Sequence, residues 1–450
     1  MFYILGYLFS FLIGFLAINK VTENNQFPLI LKYILGMGLG LLLSGQITFY
    51  SLLLCNQIQP VLIIVIHIIL ISFLIFNGSP RWWSLDHRRG GPSVIPILIY
   101  LIILSALILT ASFFPYGGWD AWGIWNLKAR FIFLGGTQWR NMLDPALFQT
   151  SNHYPFLWPL MNVWIWCFGK SAPTYIPLVS SLTYAIGLPL LLGFGLYTTT
   201  KHKLSFLPAF LFALLPLYQL LSISQYADVL IAFFLLAVFI FFHLSLEQKS
   251  SSLFFLTGIF CGAMSFIKDE GLASTILISF LVLILIAINQ NFSNRKLKII
   301  GKFLLGVFLT FLPALIFQFF IRPASLQFEN GLISKTNPSS LFRLAIILRY
   351  YAAEFLSIKW QGIWIIILCG ILFNLKKIKT VPSYTLIVGF TVLYMMTLTA
   401  NYFINTHIPL IFWLVSSVNR LILSLIPPLL FLIFHGILSK STDKKDCGIN

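Results

Sequence analysis

The chain has 450 residues, of which 59% are hydrophobic, 16% aromatic and only 9% charged. Soluble domains carry about 25% charged residues, so this composition excludes a soluble globular enzyme, a disordered chain and a collagen-like rod, and leaves a polytopic α-helical membrane protein. The net charge of +17 raises nucleic acid or anionic lipid as partners, a question that the positions of the basic residues decide.

Apolar runs of about 17–25 residues predict about 13 transmembrane helices, over roughly 2–19, 28–54, 59–77, 94–112, 173–198, 204–222, 229–246, 253–267, 271–289, 299–320, 360–375, 381–402 and 420–437. The runs are continuous rather than alternating, which disfavours an outer-membrane barrel. The first run lacks a basic leader and a small-residue cleavage site, so it reads as a retained span rather than a signal peptide. Five cysteines, at 55, 167, 261, 369 and 447, are scattered without a paired motif and suggest neither a disulfide framework nor a cysteine metal site.

Positive charge marks cytoplasmic ends. Lys20, then Arg81 with Arg88 and Arg89, Lys201 with Lys203, Lys249, Arg295 with Lys296 and Lys298, Lys376 with Lys377 and Lys379, and Lys440 with Lys444 and Lys445 fall in every second loop. This places the N-terminus outside and the C-terminus inside. The basic excess is thereby explained as topology, with no nucleic-acid partner. Residues 156–168 are apolar but short and carry Pro159; were they to cross, the later basic loops would flip, so they read as a re-entrant or interfacial helix on the outer face. Residues 341–358 carry Arg343, Arg349 and Glu354, with Lys359 just beyond, too many charges for a lipid-facing span. The largest non-spanning stretch is 113–172, on the outer side.

With 12 acidic residues in the chain, each can be placed. Glu23, Asp86, Glu247, Asp443 and Asp446 lie in cytoplasmic loops among basic residues and read as solvated loop charge. Asp120, Asp144, Asp228, Asp269, Glu270, Glu329 and Glu354 fall on the outer side. Ionisable groups at membrane depth are costly and usually face a cavity or a partner. Asp120 lies between Trp119 and Trp122 in FFPYGGWDAWGIW, with Trp125, Lys128 and Arg130 following. The tryptophans alone fit an interfacial aromatic belt, but the Asp among them does not. Asp228 begins a span in SQYAD, where a carboxylate also suits a helix N-terminus. Lys268, Asp269 and Glu270 precede Gly271 in FIKDEGLA, either as a solvated turn or as a charged cluster at the mouth of a cavity. His153 and Tyr154 open HYPFLWPL, whose Pro155 and Pro159 interrupt helix continuation and could seat the loop on the membrane surface. Arg420, at the start of the last predicted span, is either a snorkelling interfacial Arg or a fork for a phosphate.

These motifs, in this order, carry a resemblance. A long outer loop with an aromatic-flanked Asp, a Tyr-Pro segment, an acid at a span start and a Lys-acid-Gly turn resemble the GT-C superfamily of polyprenyl-phosphate-sugar-dependent glycosyltransferases. The nearer likeness is to the bacterial branch with the lipid A aminoarabinose transferases and the galacturonosyltransferases of core polysaccharide; protein mannosyltransferases are more distant. The similarity covers about residues 94–290, with a weaker tail around SSVNRLILSLIPPLL. It implies three regions: N-terminal extra helices over 1–93, a catalytic core over 94–290 with the outer loop 113–172, and C-terminal helices over 291–450. The chain departs from the relatives in having Tyr154-Pro155-Phe156-Leu157 where they often show Tyr-Pro-Pro-Leu, and in the three spans before residue 94.

The resemblance further implies an inverting glycosyltransferase of the bacterial inner membrane, with its active site facing the periplasm. The donor would be a sugar on a polyprenyl phosphate, and the acceptor an envelope glycan, lipid or protein. Asp120 would be the catalytic base. Lys268 and Arg420 would hold the departing lipid phosphate, while Asp228, Asp269, Glu270, His153 and Tyr154 would contact sugar or acceptor. A cluster of carboxylates could bind Mg²⁺ or Mn²⁺, although some relatives work without a metal. A polysaccharide ligase or polymerase, and a lipid-linked sugar transporter or flippase, are the rival readings. The first would carry a long late loop rich in Arg and His, and the second broken spans at the midplane or repeat symmetry.

Overall fold

A computed structural model describes residues 2–22, 27–77, 104–289, 295–323, 340–405 and 408–446. Residues 94–103 of the fourth predicted span, together with Glu23, Asp86 and Glu329, lie outside them. The described residues form helices and connecting turns, with no strand among them. In chain order the helices are α1 (Tyr3–Val21), α2 (Leu29–Cys55), α3 (Pro60–Phe76), α4 (Asn126–Leu134), α5 (Leu157–Trp166), α6 (Tyr175–Thr200), α7 (Leu207–Ala213), α8 (Pro216–Ile223), α9 (Ala227–Glu247), α10 (Ser251–Met264), α11 (Asp269–Ile288), α12 (Lys296–Phe320), α13 (Ser340–Phe355), α14 (Ile363–Phe373), α15 (Leu375–Thr380), α16 (Pro382–Ile404), α17 (Leu410–Leu423) and α18 (Ile426–Asp446). A further helix covers 104–112.

Eight of the described helical stretches are long and apolar enough to cross a membrane: α1, α2, α6, α9, α11, α12, α16 and the continuous stretch Leu410–Ser439 through α17 and α18. The bent pair α7–α8 raises the number to 9 if it forms one span. α3, α10 and α14 are apolar but shorter.

Helix α9 is the central post. Every residue from Ala227 to Ser245 is buried, and its hydrophobic run has no polar face, as expected of a helix surrounded by others. Close approach elsewhere comes from glycine. Gly258 and Gly262 of α10, spaced as G-x-x-x-G, meet the backbone of α12 at Phe303 and Val307, and Gly306 answers from the other side. Gly36 and Gly40 of α2 do the same against α1. Without water to drive association, small residues that let backbones touch are the main device of helix packing in lipid. Polar glue adds to it. Trp164 Nε1 donates to Ser10 Oγ at 2.8 Å, Ser10 and Ser44 hydroxyls pair at 2.9 Å, and the His67 ring stacks on Trp164 at 3.7 Å between centroids. This ties α1, α2, α3 and α5 together.

Three elements differ from the sequence expectation. Of the re-entrant and interfacial alternatives for residues 156–168, burial removes the interfacial one: each of the ten residues of α5 is buried. Its apolar, tryptophan-rich composition reflects burial on all sides within the protein rather than contact with the membrane interface. The run 204–222 is not one straight helix but breaks by 70° between α7 and α8. Pro216 lacks the amide needed to continue α7 and biases Leu215 toward extended backbone, which it adopts (φ −61°, ψ 123°). The last helical stretch begins at Leu410, ten residues before its expected start, and turns at Ser424–Leu425 into α18. Arg420 therefore sits in the last turn of α17, not at the entrance of a span. α13, with its charges, is absent from the helices apolar enough to cross, in keeping with its composition.

Candidate active site

The tryptophan loop and the start of α9 are built as one unit. Gly117 takes a left-handed backbone (φ +69°), and a side chain there would strike Ser224 O at 2.6 Å. Gly118 N donates to Ser224 O at 3.0 Å, and Gln225 Nε2 donates to Pro115 O at 3.1 Å. A Cβ on Gly118 would meet the Tyr226 hydroxyl at 2.5 Å. The Gly-Gly pair is thus required by the docking of this loop onto SQYAD. Asp120 leads directly into a single wide turn, Ala121–Trp125, with π-helical bonding, a rare geometry that is frequent at functional sites. Trp119 and Trp122 remain half exposed (53% and 50%), while Trp125 is fully buried. Burial removes Trp125 from an interfacial belt, while Trp119 and Trp122 keep the exposure that such a belt requires.

Lys128 anchors the second loop. It is buried and donates to Ser151 O at 2.7 Å and Tyr154 O at 3.1 Å. Desolvation pushes its ammonium down to about 7, with the Asp269 charge opposing and the Arg322 charge reinforcing that shift. Leu157 N donates to Phe266 O at 3.1 Å, joining the Tyr-Pro segment to the turn that bears Lys268. Trp125 stacks on Tyr154 at 5.5 Å. At the turn, Gly271 lies against Met264 O, leaving no room for a side chain.

These local restraints converge eight residues singled out from the sequence. Arg420 Nη2 bonds Asp120 Oδ2 at 2.7 Å, and its Nε lies 3.5 Å from Asp228 Oδ2. Lys268 Nζ lies 3.3 Å from Asp228 Oδ1 and 3.4 Å from Glu270 Oε1. Arg322 forks onto Asp269 at 3.1 and 3.4 Å, and His153 Nε2 approaches the same carboxylate at 3.7 Å. Tyr154 lies under Lys268 Nζ at 5.8 Å, and Tyr226 under the Arg420 guanidinium at 4.5 Å, both favourable cation–π placements. The cluster gathers where α9 and α11 begin and α10 and α12 end.

Its charges are buried deeper than a solvated turn would be: the side chains of Lys268 and Asp228 are each 3% exposed. Burial pulls the Lys268 ammonium down, but the carboxylates of Asp228 and Glu270 more than offset it and hold it above its usual range. His153 is held neutral, pushed down to about 3 by burial and by the Lys128 and Arg322 charges. It therefore faces Asp269 as a neutral imidazole and not as an ion-pair partner. Buried ion pairs earn little net stability over apolar packing, so such a network calls for a role other than folding. Several of its buried atoms make no hydrogen bond: Glu270 Oε2 has none, and Asp228 Oδ2 and Arg420 Nε face each other at 3.5 Å as an ion pair only.

The carboxylates do not pool into a cation cage. Arg420 stands between Asp120 and Asp228, Lys268 between Asp228 and Glu270, and Arg322 on Asp269. The acids are thus neutralised by side chains, and this donor set does not suit the Mg²⁺ or Mn²⁺ considered from the sequence. Two further loop acids among the described residues make local contacts: Asp144 caps the turn after it through Ala146 N at 2.8 Å, and Glu354 accepts from Lys359 and Trp360 Nε1.

Two members of the site were not picked out from the sequence. Arg322 carries no sequence signal of its own, and Lys128 stands only as a charge among tryptophans. A buried Lys in an apolar helix is a usable signal; the pairing of Arg322 with Asp269 depends on the register of two helix ends and has none. No family model matches the chain, and no curated protein or solved structure matches it.

Proposed function

We propose that this protein is an inverting glycosyltransferase of the GT-C type, moving a sugar from a polyprenyl phosphate to an envelope glycan, lipid or protein acceptor at the outer face of the bacterial inner membrane. The observation that supports this reading best is the single connected network made by Asp120, Asp228, Lys268, Glu270 and Arg420, from four separated chain segments, at one end of the helix bundle. The reading keeps about 13 spans and the positive-inside orientation drawn from the loop charges, with the cluster on the outer side.

The chemistry follows from which group each residue can serve. Breaking the bond between sugar and lipid phosphate leaves an anion, which fixed cations stabilise. Arg420 offers a planar fork for such a phosphate, and Lys268 a second charge. The acceptor hydroxyl must lose its proton to a carboxylate, and Asp120 is the base. In the structure Asp120 and Arg420 are bonded to each other. A donor phosphate that takes over Arg420 would release Asp120 to accept the proton, so that the base is freed only when donor is bound. One displacement at the anomeric carbon forms the bond to the acceptor oxygen, expels the lipid phosphate and inverts the configuration. Asp228 and Glu270 orient hydroxyls, and Asp269, held by Arg322, lines the acceptor side with His153 and Tyr154.

Asp120→Asn tests the base. In proteoliposomes supplied with lipid-linked sugars and envelope acceptors, it should lower transfer by about 10²–10⁴-fold while the protein remains inserted and folded. Full activity of that variant would remove Asp120 from the mechanism.

A further inference from the structure

A second cluster lies at the opposite end of α9, some 15 residues or about 22 Å along the helix from Asp228. His243 and Glu247 stand one turn apart on α9, and His435 reaches them from α18. One nitrogen of each imidazole and a Glu247 oxygen all lie within 4.8 Å of one another, and this is the only group of three or more such donors among the described residues. We propose that His243, Glu247 and His435 form a binding site for a divalent transition-metal ion of the zinc type.

The case rests on how the two rings are held. His243 Nδ1 bonds Ser383 Oγ at 2.8 Å, and His435 Nδ1 bonds the Tyr384 hydroxyl at 2.6 Å. Ser383 and Tyr384 are adjacent residues in the first turn of α16. With each Nδ1 committed to a hydroxyl, each Nε2 is the nitrogen left to face a third group. Metal-bound histidines are oriented in this way, through a partner on the other ring nitrogen. The His243 Nε2 to Glu247 Oε1 contact, 3.0 Å, is satisfied as an ordinary helix pair. His435 Nε2 is not: it is buried without any hydrogen-bond partner, although its residue is only 7% exposed. A buried ring nitrogen without a partner is costly, and a cation would engage it when the ring proton sits on Nδ1 toward the Tyr384 hydroxyl.

Two imidazoles and one carboxylate favour zinc and its neighbours over Mg²⁺ or Ca²⁺, which prefer oxygen ligands. Three protein ligands leave a fourth tetrahedral position, and water can reach it past Glu247, whose side chain is 44% exposed. On binding, the ion would take the place between His243 Nε2 and Glu247 Oε1, with the imidazole proton on Nδ1 donated to Ser383 Oγ. The ion would then clasp α9 to α18, with α16 holding both rings. This site is separate from the charged cluster and does not rest on the proposed transfer reaction.

The test is metal uptake by the purified full chain in detergent, stripped with a chelator and titrated with Zn²⁺. One tightly bound ion per chain is expected by mass spectrometry, with Zn²⁺ raising the melting temperature. Substituted Co²⁺ should give the visible spectrum of a tetrahedral site. Glu247→Gln, a change at a partly exposed side chain, and His435→Gln should each abolish the ion and the thermal shift. Tyr384→Phe should weaken binding by about 10–100-fold. Asp120→Asn should bind Zn²⁺ like the unaltered chain. Failure of the unaltered chain to take up one Zn²⁺ at micromolar free metal, or uptake that survives Glu247→Gln or His435→Gln, would overturn the proposal.

Discussion

Asp120 and Arg420 are 300 positions apart and meet at 2.7 Å. At the scale of single residues, the site is defined less by which charges are present than by how each is shared. Arg420 serves two carboxylates and Lys268 two, so any anion that binds must redistribute bonds already made. Lys128 shows the same economy with a measurable consequence. Its folded value near 7 lies below the roughly 10.4 of an unfolded lysine. Between those values the unfolded chain binds a proton that the folded chain has shed. The Lys128 contribution to stability therefore rises with pH across that window, and falls as pH drops toward the folded value. Melting curves of the detergent-solubilised protein from about pH 7 to 10 should show this rise, and Lys128→Met should flatten it. An unchanged slope in the variant would assign the pH dependence to another group.

At the scale of helices, glycine spacing and proline position decide the geometry. Gly262 of α10 faces Val307 O and lies so close to Thr310 Oγ1 that an added Cβ would come within 2.5 Å of it. Gly262→Ala should therefore push α10 from α12 and destabilise by about 1–3 kcal/mol, displacing the turn that carries Lys268. Gly301 of α12 has nothing within 4 Å of an added Cβ, and Gly301→Ala should gain up to about 1 kcal/mol from helix propensity. Thermal or denaturant unfolding of the two variants should move in opposite directions. Helices with long uniform apolar runs, such as α9, were legible in the sequence because nothing but helix satisfies the backbone at that depth. The α7–α8 break was signalled by Pro216, but hydropathy alone spans it. The beginning of α17 was missed because Ser416, Ser417, Asn419 and Arg420 lower the apolar signal of a helix on which Ser417 and Arg420 turn toward partners. Tyr402 Oη, for example, pairs with Ser417 Oγ at 2.7 Å. Burial of α5 on all sides could not be separated from membrane contact, since both select the same residues.

At the scale of the whole molecule, scarcity of charge made the site legible. With 12 acids in 450 residues, those near apolar runs stood out, and Asp120, Asp228, Lys268, Asp269, Glu270, His153, Tyr154 and Arg420 all fall in or against one cluster. Their pairing was not legible, because it depends on how helices far apart in sequence meet. Neither was the His243–Glu247–His435 group: Glu247 looked like one more solvated loop charge, and nothing in the sequence brings α18 beside it. The orientation can be tested directly. In a cysteine-free background, Pro145→Cys should react with membrane-impermeant thiol reagents in intact cells and Lys379→Cys should not, both positions being exposed in the fold. The reverse pattern would put the charged cluster on the cytoplasmic side. The most direct test of glycosyl transfer is mass spectrometry of envelope glycans, glycolipids and glycoproteins from cells with and without this protein. Loss of a single pentose, hexose or uronic acid from one species is expected, restored by the unaltered chain but not by Asp120→Asn. An unchanged set of sugars, or restoration by that variant, would contradict it.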